Sequence, residues 1–216
     1  MTIENFSARG MAMATAGEMI SVVAGAIARP QATVTSYYGV LRKGGLISTT
    51  GRGRSAQHLS SLDVARLLIV MLSADSLQEG EAVTRLVGQL THHRVDDELD
   101  LICDLQFEDA LAGLIEFKAA RFHGRPTNVE SHLGDLSSDD IQVRVTATHM
   151  TAEIVVAGEA TPFFKLDGGS PPFAYPDDWE EVSIEDRLIL RAMMEGMSVT
   201  RGIDDMVISK VAAAMP

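Results

Sequence analysis

Ile20-Ser-Val-Val-Ala-Gly-Ala-Ile-Ala-Arg-Pro-Gln-Ala-Thr-Val-Thr-Ser-Tyr-Tyr-Gly-Val-Leu-Arg-Lys-Gly-Gly-Leu-Ile47 holds two helical patterns separated by a break. Apolar residues at Ile20, Val23, Ala24 and Ile27 follow the i, i+3, i+4, i+7 spacing of one helix face, which predicts a helix over Ile20–Ala28. Pro30 then disfavours the helical region for Arg29 and suits the first turn of a new helix. The second pattern, Ala32–Lys43, sets Val34, Tyr38 and Leu41 on an inward stripe. Thr33, Thr35, Ser36, Tyr37, Arg42 and Lys43 are left outward. Gly44 and Gly45 permit the left-handed conformation that closes helices, and Leu46-Ile47 return to the core as the expected start of a strand.

Beyond Ile47, Ser48–His58 reads as a loop bearing Arg52, Arg54 and His58, with Gly51 and Gly53 allowing close approach of the backbone to an anion. Ser60 or Ser61 caps a third helix, in which Leu62, Ala65, Leu68, Ile69 and Leu72 keep helical spacing. Glu79–Leu90 continues as a fourth, through Val83, Leu86, Val87 and Leu90.

Two short helices, a glycine close, a basic loop and a third helix resemble the winged helix-turn-helix transcription regulators. The resemblance rests on Val23-Ala-Gly-Ala-Ile-Ala28, Ala32-Thr-Val34, Leu41-Arg-Lys-Gly-Gly-Leu-Ile47 and Arg52-Gly-Arg54, about a quarter of the chain. The basic loop running into Leu59-Ser-Ser-Leu-Asp-Val-Ala-Arg-Leu-Leu-Ile69 is similar to the MerR group, although Tyr37-Tyr38 lie further from Gly45-Leu46 than in that group. The resemblance implies a recognition helix, with Thr33, Thr35, Ser36 and Tyr37 in the major groove and Arg42 and Lys43 on phosphates. It also implies a wing that places Arg52, Arg54 and His58 against the duplex.

Charge divides the chain in the same place. Up to Arg94 there are nine Lys or Arg against six acids, a net of +3; the remainder holds nine against 24, a net of −15. Between Arg29 and Arg66 six cations face the single acid Asp63, a local patch able to meet phosphates although the whole chain is −12. With 216 residues and 46% apolar content, this shift predicts two units. Residues 1–94 form the expected winged helix-turn-helix, and residues 95–216 an acidic domain for assembly or for a protein partner. Thr91–Glu98 is the expected linker.

In the acidic part, Asp104 is placed to cap a helix over Leu105–Phe122, with Phe107, Leu111, Leu114, Ile115 and Phe122 on its apolar face. Periodicity then changes to two at Ile141, Val143, Val145 and Ala147. Ala152–Ala157 and Thr161–Leu166 complete a small antiparallel meander, with Gly158-Glu159 as a turn and Pro162 marking an edge strand. Ser183–Asp186 opens an expected methionine-rich helix, and Ile203–Ala214 a final one. The fold class expected is therefore α+β: an all-α winged helix-turn-helix followed by a small sheet covered by helices.

No run of about 18 apolar residues predicts a membrane span, and Met11–Ile27 lacks the basic start of a secretion signal. The lone Cys103 forms no internal disulfide and reads as a small buried hydrophobe, consistent with a reducing cytoplasm. His92, His93, Asp96 and Glu98 lack a second cluster to complete a metal set. No phosphate-binding Gly-Lys-Ser run, nucleophile elbow or paired-cysteine knuckle is present, so neither catalysis, a metal nor a cofactor is expected. The expectation is a phage-type, cytoplasmic, homodimeric regulator binding double-stranded DNA. The alternatives are a phage small terminase subunit, which assembles as a ring, and a protein–protein adaptor whose basic patch meets an acidic protein.

Overall fold

The computed structural model describes residues 15–48, 58–96, 101–125, 139–146, 150–164 and 200–215. Helix α1 (Ala16–Ala26) starts at Thr15, whose Oγ1 accepts from Glu18 N at 3.3 Å while Thr15 N donates to the Glu18 carboxylate at 2.7 Å. This reciprocal pair occupies N–H groups that a helix start otherwise leaves without partners. The helix closes through Ala28, in the left-handed region at φ 52°, with Arg29 N donating to Ala24 O at 3.0 Å. Pro30 is the N-cap of α2 (Gln31–Lys43), so α1 and α2 are joined by a tight turn. Gly45, at φ 73°, closes α2 in the same way, with Leu46 N on Leu41 O at 2.9 Å.

Leu46 and Ile47 are buried, at 6% and 1% exposure, yet they form no strand. The expectation of a strand there is corrected for a local reason: Ser48 N donates to Asp63 Oδ1 at 3.0 Å, a side chain in place of a neighbouring strand. Helix α3 (Ser61–Ser73) has Ser60 as N-cap and Asp63 as the capping-box acid. Its burial exceeds the expected stripe, because Val64, Leu67, Val70 and Met71 are buried as well as Ala65, Leu68, Ile69 and Leu72. Helices α2, α4 (Gly80–Gly88) and α5 (Phe107–Phe122) and the sheet all pack on it.

Thr91–Asp96, expected as a linker, is strand β1, paired antiparallel with β2 (Leu101–Gln106) from Thr91 opposite Gln106 to Asp96 opposite Leu101. Polar side chains at Thr91, His92 and Arg94 hid a strand whose stability comes from its partner. Gln106, not Asp104, is the N-cap of α5, since Asp104 is inside β2. Strands β3 (Ile141–Thr146), β4 (Thr151–Val156), β5 (Glu159–Phe164) and β6 (Thr200–Asp204) complete a six-stranded antiparallel sheet of order β2-β1-β5-β4-β3-β6. Among the described residues, Thr91 opposite Phe164 is the pair that joins β1 to β5.

Strand β5 is therefore internal, which corrects the edge assignment drawn from Pro162. The β1–β5 ladder ends two residues short of Pro162, so the missing N–H breaks no pairing on that side. The β4–β5 turn is Ala157-Gly158, at φ 51° and 85°, one residue earlier than expected. Helix α6 runs Asp205–Ala214 and starts after Ile203, which belongs to β6; Asp204 caps it by accepting from Val207 N at 3.1 Å. The expected methionine-rich helix opened by Ser183–Asp186 lies outside the described residues.

The molecule is α+β, with helices against an antiparallel sheet. Its inner face presents Ile141, Val143, Val145, Ala152, Ile154, Val156, Phe163 and Ile203, all buried. These join one apolar cluster that runs from Met19 in α1 to Met215 after α6. The expected boundary at Arg94 falls within β1. Among the described residues no helix is long and apolar enough to cross a membrane.

Candidate nucleic-acid interface

Helix α2 buries Val34, Tyr37 and Leu41 against α1, α3 and α4. The outward face then consists of Gln31, Ala32, Thr35, Ser36, Gly39, Arg42 and Lys43, spaced at three and four residues along the helix. No acid is present anywhere in α2. Arg42 and Lys43 are exposed and enter no ion pair among the described residues. Gly39 has nothing within 4 Å of where a Cβ would stand, so the middle of the face is low and open.

Tyr37 does not belong to that face. It is 7% exposed, and a Cβ on Gly80 would lie 3.2 Å from its Cδ1. The expected groove contact from Tyr37 is corrected: Tyr37 is the inward tyrosine and Tyr38 is half-buried. Both lie at helical spacing between Val34 and Leu41, and the room beside Gly80 on α4 selects the former. Burial, with the Asp75 charge next, pushes the Tyr37 hydroxyl above its ordinary value.

Thr33 is half-buried, whereas Thr35 and Ser36 are exposed. Their hydroxyls donate to Gln31 O and Ala32 O, each at 2.9 Å, which fixes the rotamers and leaves oxygen lone pairs as outward acceptors. At the other end of α2, Gly44 receives α4. Arg85 Nη2 donates to Gly44 O at 2.7 Å and to Glu81 Oε1 at 3.1 Å, so the Glu81 charge is met beside Arg42 and Lys43. A Cβ on Gly44 would fall 2.3 Å from Glu81 Cδ, the reason for glycine there although its φ is −76°.

Arg52 and Arg54 lie outside the described residues. The two ends of their segment are held by one side chain: Asp63 accepts from Ser48 N, Ser48 Oγ at 2.9 Å and Ser60 N at 3.0 Å. His58 is half-buried, forms a backbone bridge with Thr15, and its charge helps to lower the Glu18 carboxyl below its usual value, after the two Thr15 hydrogen bonds. It stands at the base of the segment, beside the start of α1.

Behind Asp63, Arg66 donates from Nε and Nη2 to the two oxygens of Glu108, each at 2.8 Å, and from Nη1 to Leu46 O at 2.7 Å. The Glu108 hydrogen bond holds the guanidinium above its ordinary value, and Asp109 is raised by burial and by Glu108. Sequence reasoning missed Gln31, Ala32 and Gly39 on the α2 face, and the roles of Asp63, Arg66 and Glu81-Arg85. A helical projection through Tyr37 in place of Tyr38 brings out the first three; the others depend on contacts distant in sequence. Among the described residues no three of His, Cys, Asp and Glu gather in a metal-binding group. Comparison with protein-family models, with curated proteins and with solved structures finds no match for this chain.

Proposed function

We propose that this chain binds double-stranded DNA through the outward face of α2, as a homodimeric, cytoplasmic transcription regulator of winged helix-turn-helix type. The observation that carries this reading is a helix face without acids, ending in the exposed and unpaired cations Arg42 and Lys43, in a chain of net charge −12. Thr35, Ser36 and Gln31 offer hydrogen-bonding groups to base edges, and Gly39 lets the backbone approach the groove. The Ser48–Ser60 segment, clasped at its ends by Asp63, carries Arg52 and Arg54 as the wing.

Fluorescence anisotropy with mixed genomic duplexes tests the reading. Neutralising four phosphates through Arg42, Lys43, Arg52 and Arg54 predicts affinity falling about 150-fold between about 50 and 200 mM salt. Arg42→Ala/Lys43→Ala should cut the slope of log affinity against log salt by about 2. Salt-insensitive or absent binding removes the proposal and leaves the adaptor reading. Scattering mass on the same sample separates a dimer from a packaging ring.

A further inference from the structure

Thr35 and Ser36 stand next to each other on the outward face of α2, and both are exposed. Each hydroxyl lies 2.9 Å from a backbone carbonyl one turn back, Thr35 Oγ1 from Gln31 O and Ser36 Oγ from Ala32 O. A carbonyl only accepts, so each hydroxyl proton is committed to the helix. What the two side chains present outward is oxygen lone pairs, an acceptor and not a donor. Bonds of this kind are ordinary for Ser and Thr within helices and require no ligand. They do restrict one, because a hydroxyl that turned to donate outward would give up its bond to the carbonyl. Gln31, exposed at the start of the helix, keeps both donors and an acceptor on its amide and carries no such restriction.

The major groove offers two classes of base edge to a fixed acceptor. Adenine and cytosine each carry an exocyclic amine that donates, whereas guanine presents N7 and O6 and thymine O4 and a methyl group. The first two complete a hydrogen bond; the last two set lone pair against lone pair. Position along the helix directs these oxygens to bases and not to phosphates. In helix-turn-helix docking the N-terminal part of the recognition helix meets the base edges, and Thr35 and Ser36 lie in the second turn of α2, while the cations Arg42 and Lys43 close its far end.

We propose that Thr35 and Ser36 are specificity-determining residues, which select adenine or cytosine over guanine or thymine on the strand that each one faces. This rests on the reading of α2 as the DNA-binding helix.

The test selects duplexes from a randomised library with the full chain and with its Thr35→Val, Thr35→Ser, Ser36→Ala and Arg42→Ala variants, then measures them by fluorescence anisotropy at one fixed salt concentration. The wild type should hold adenine or cytosine at two positions of its consensus. Thr35→Val should relax one of them and Ser36→Ala the other, Thr35→Ser should restore the first, and Arg42→Ala should weaken all sequences alike. Replacing a selected base by its analogue without the exocyclic amine, purine for adenine or pyrimidin-2-one for cytosine, should weaken the wild type about five-fold per position and leave the matching variant unchanged. Cooperative melting of each variant separates lost selection from lost folding. Guanine or thymine at these positions, binding without base preference, or a preference that survives both hydroxyl deletions overturns this proposal alone. No binding of the wild type to any duplex overturns it together with the DNA reading, so the two failures are distinct.

Discussion

Ala157 is held at φ 51° in the two-residue turn between β4 and β5, followed by Gly158 at 85°. An L-residue with a Cβ pays about 1 kcal/mol or more for that conformation, whereas asparagine tolerates it through local hydrogen bonding. Ala157→Asn should therefore raise stability by about 0.5–1 kcal/mol in denaturant unfolding; an unchanged midpoint would count against strain at this turn. Tyr37 carries a pH prediction. Its folded pKa is raised above the ordinary 10.0 by burial, so the unfolded chain loses the phenol proton first. The contribution is complete below pH 10.0 and is lost as pH rises through the folded value. Unfolding midpoints measured on either side of that pH should fall more for the wild type than for Tyr37→Phe.

At the scale of the element, α2 combines an ordinary buried stripe with an outward face that contains a mid-helix glycine. Gly39 is exposed, with open space around it, so packing does not account for it. Gly39→Ala should raise stability by about 0.5–1 kcal/mol through lost unfolded-state freedom. Gly39→Glu keeps the helix but adds a charge to the acid-free face; if that face meets phosphates, anisotropy should show binding lost while the melt stays cooperative. Binding retained by Gly39→Glu would move the contact elsewhere on the protein. Helix α2 was legible in sequence to within one residue at its start, because Pro30 and Gly44-Gly45 are local signals. The choice between Tyr37 and Tyr38 was not, since both satisfy helical spacing and only the glycine on α4 distinguishes them.

For the whole molecule, the Arg66–Glu108 pair crosses from α3 to α5 at 2.8 Å, with side-chain exposures of 20% and 11%. Removing one partner of a buried pair costs about 3–5 kcal/mol, and residual solvent access lowers that here to about 2–3 kcal/mol for Arg66→Ala. The same change frees Leu46 O at the base of the Ser48–Ser60 segment. Because one apolar cluster extends from α1 to the residue after α6, the chain should unfold in a single transition that moves as a whole in this variant. Two separate transitions by calorimetry would show that the halves are independent.

The sequence by itself determined α2, α3 and α4 to within a few residues, the α+β class, and the pairing of β3 with β4, because periodicity, prolines, glycines and caps act over a few residues; α1 begins at Ala16, four residues before the expected Ile20, on the Thr15–Glu18 capping pair. Ser60 with Asp63 is such a signal, and the capping box stands where the serine and the acid place it. Tertiary structure decided the remainder. Thr91–Asp96 is a strand because Leu101–Gln106 pairs with it, not because of its own alternation. Strand β5 is internal because β1 is added to it. Ile203 is sheet because β3 lies opposite, with Val143 as its partner. Asp63 holds Ser48 across fifteen residues, and Arg66 reaches Glu108 across forty-two. Each depends on a partner that folding supplies, and no local pattern encodes where that partner stands.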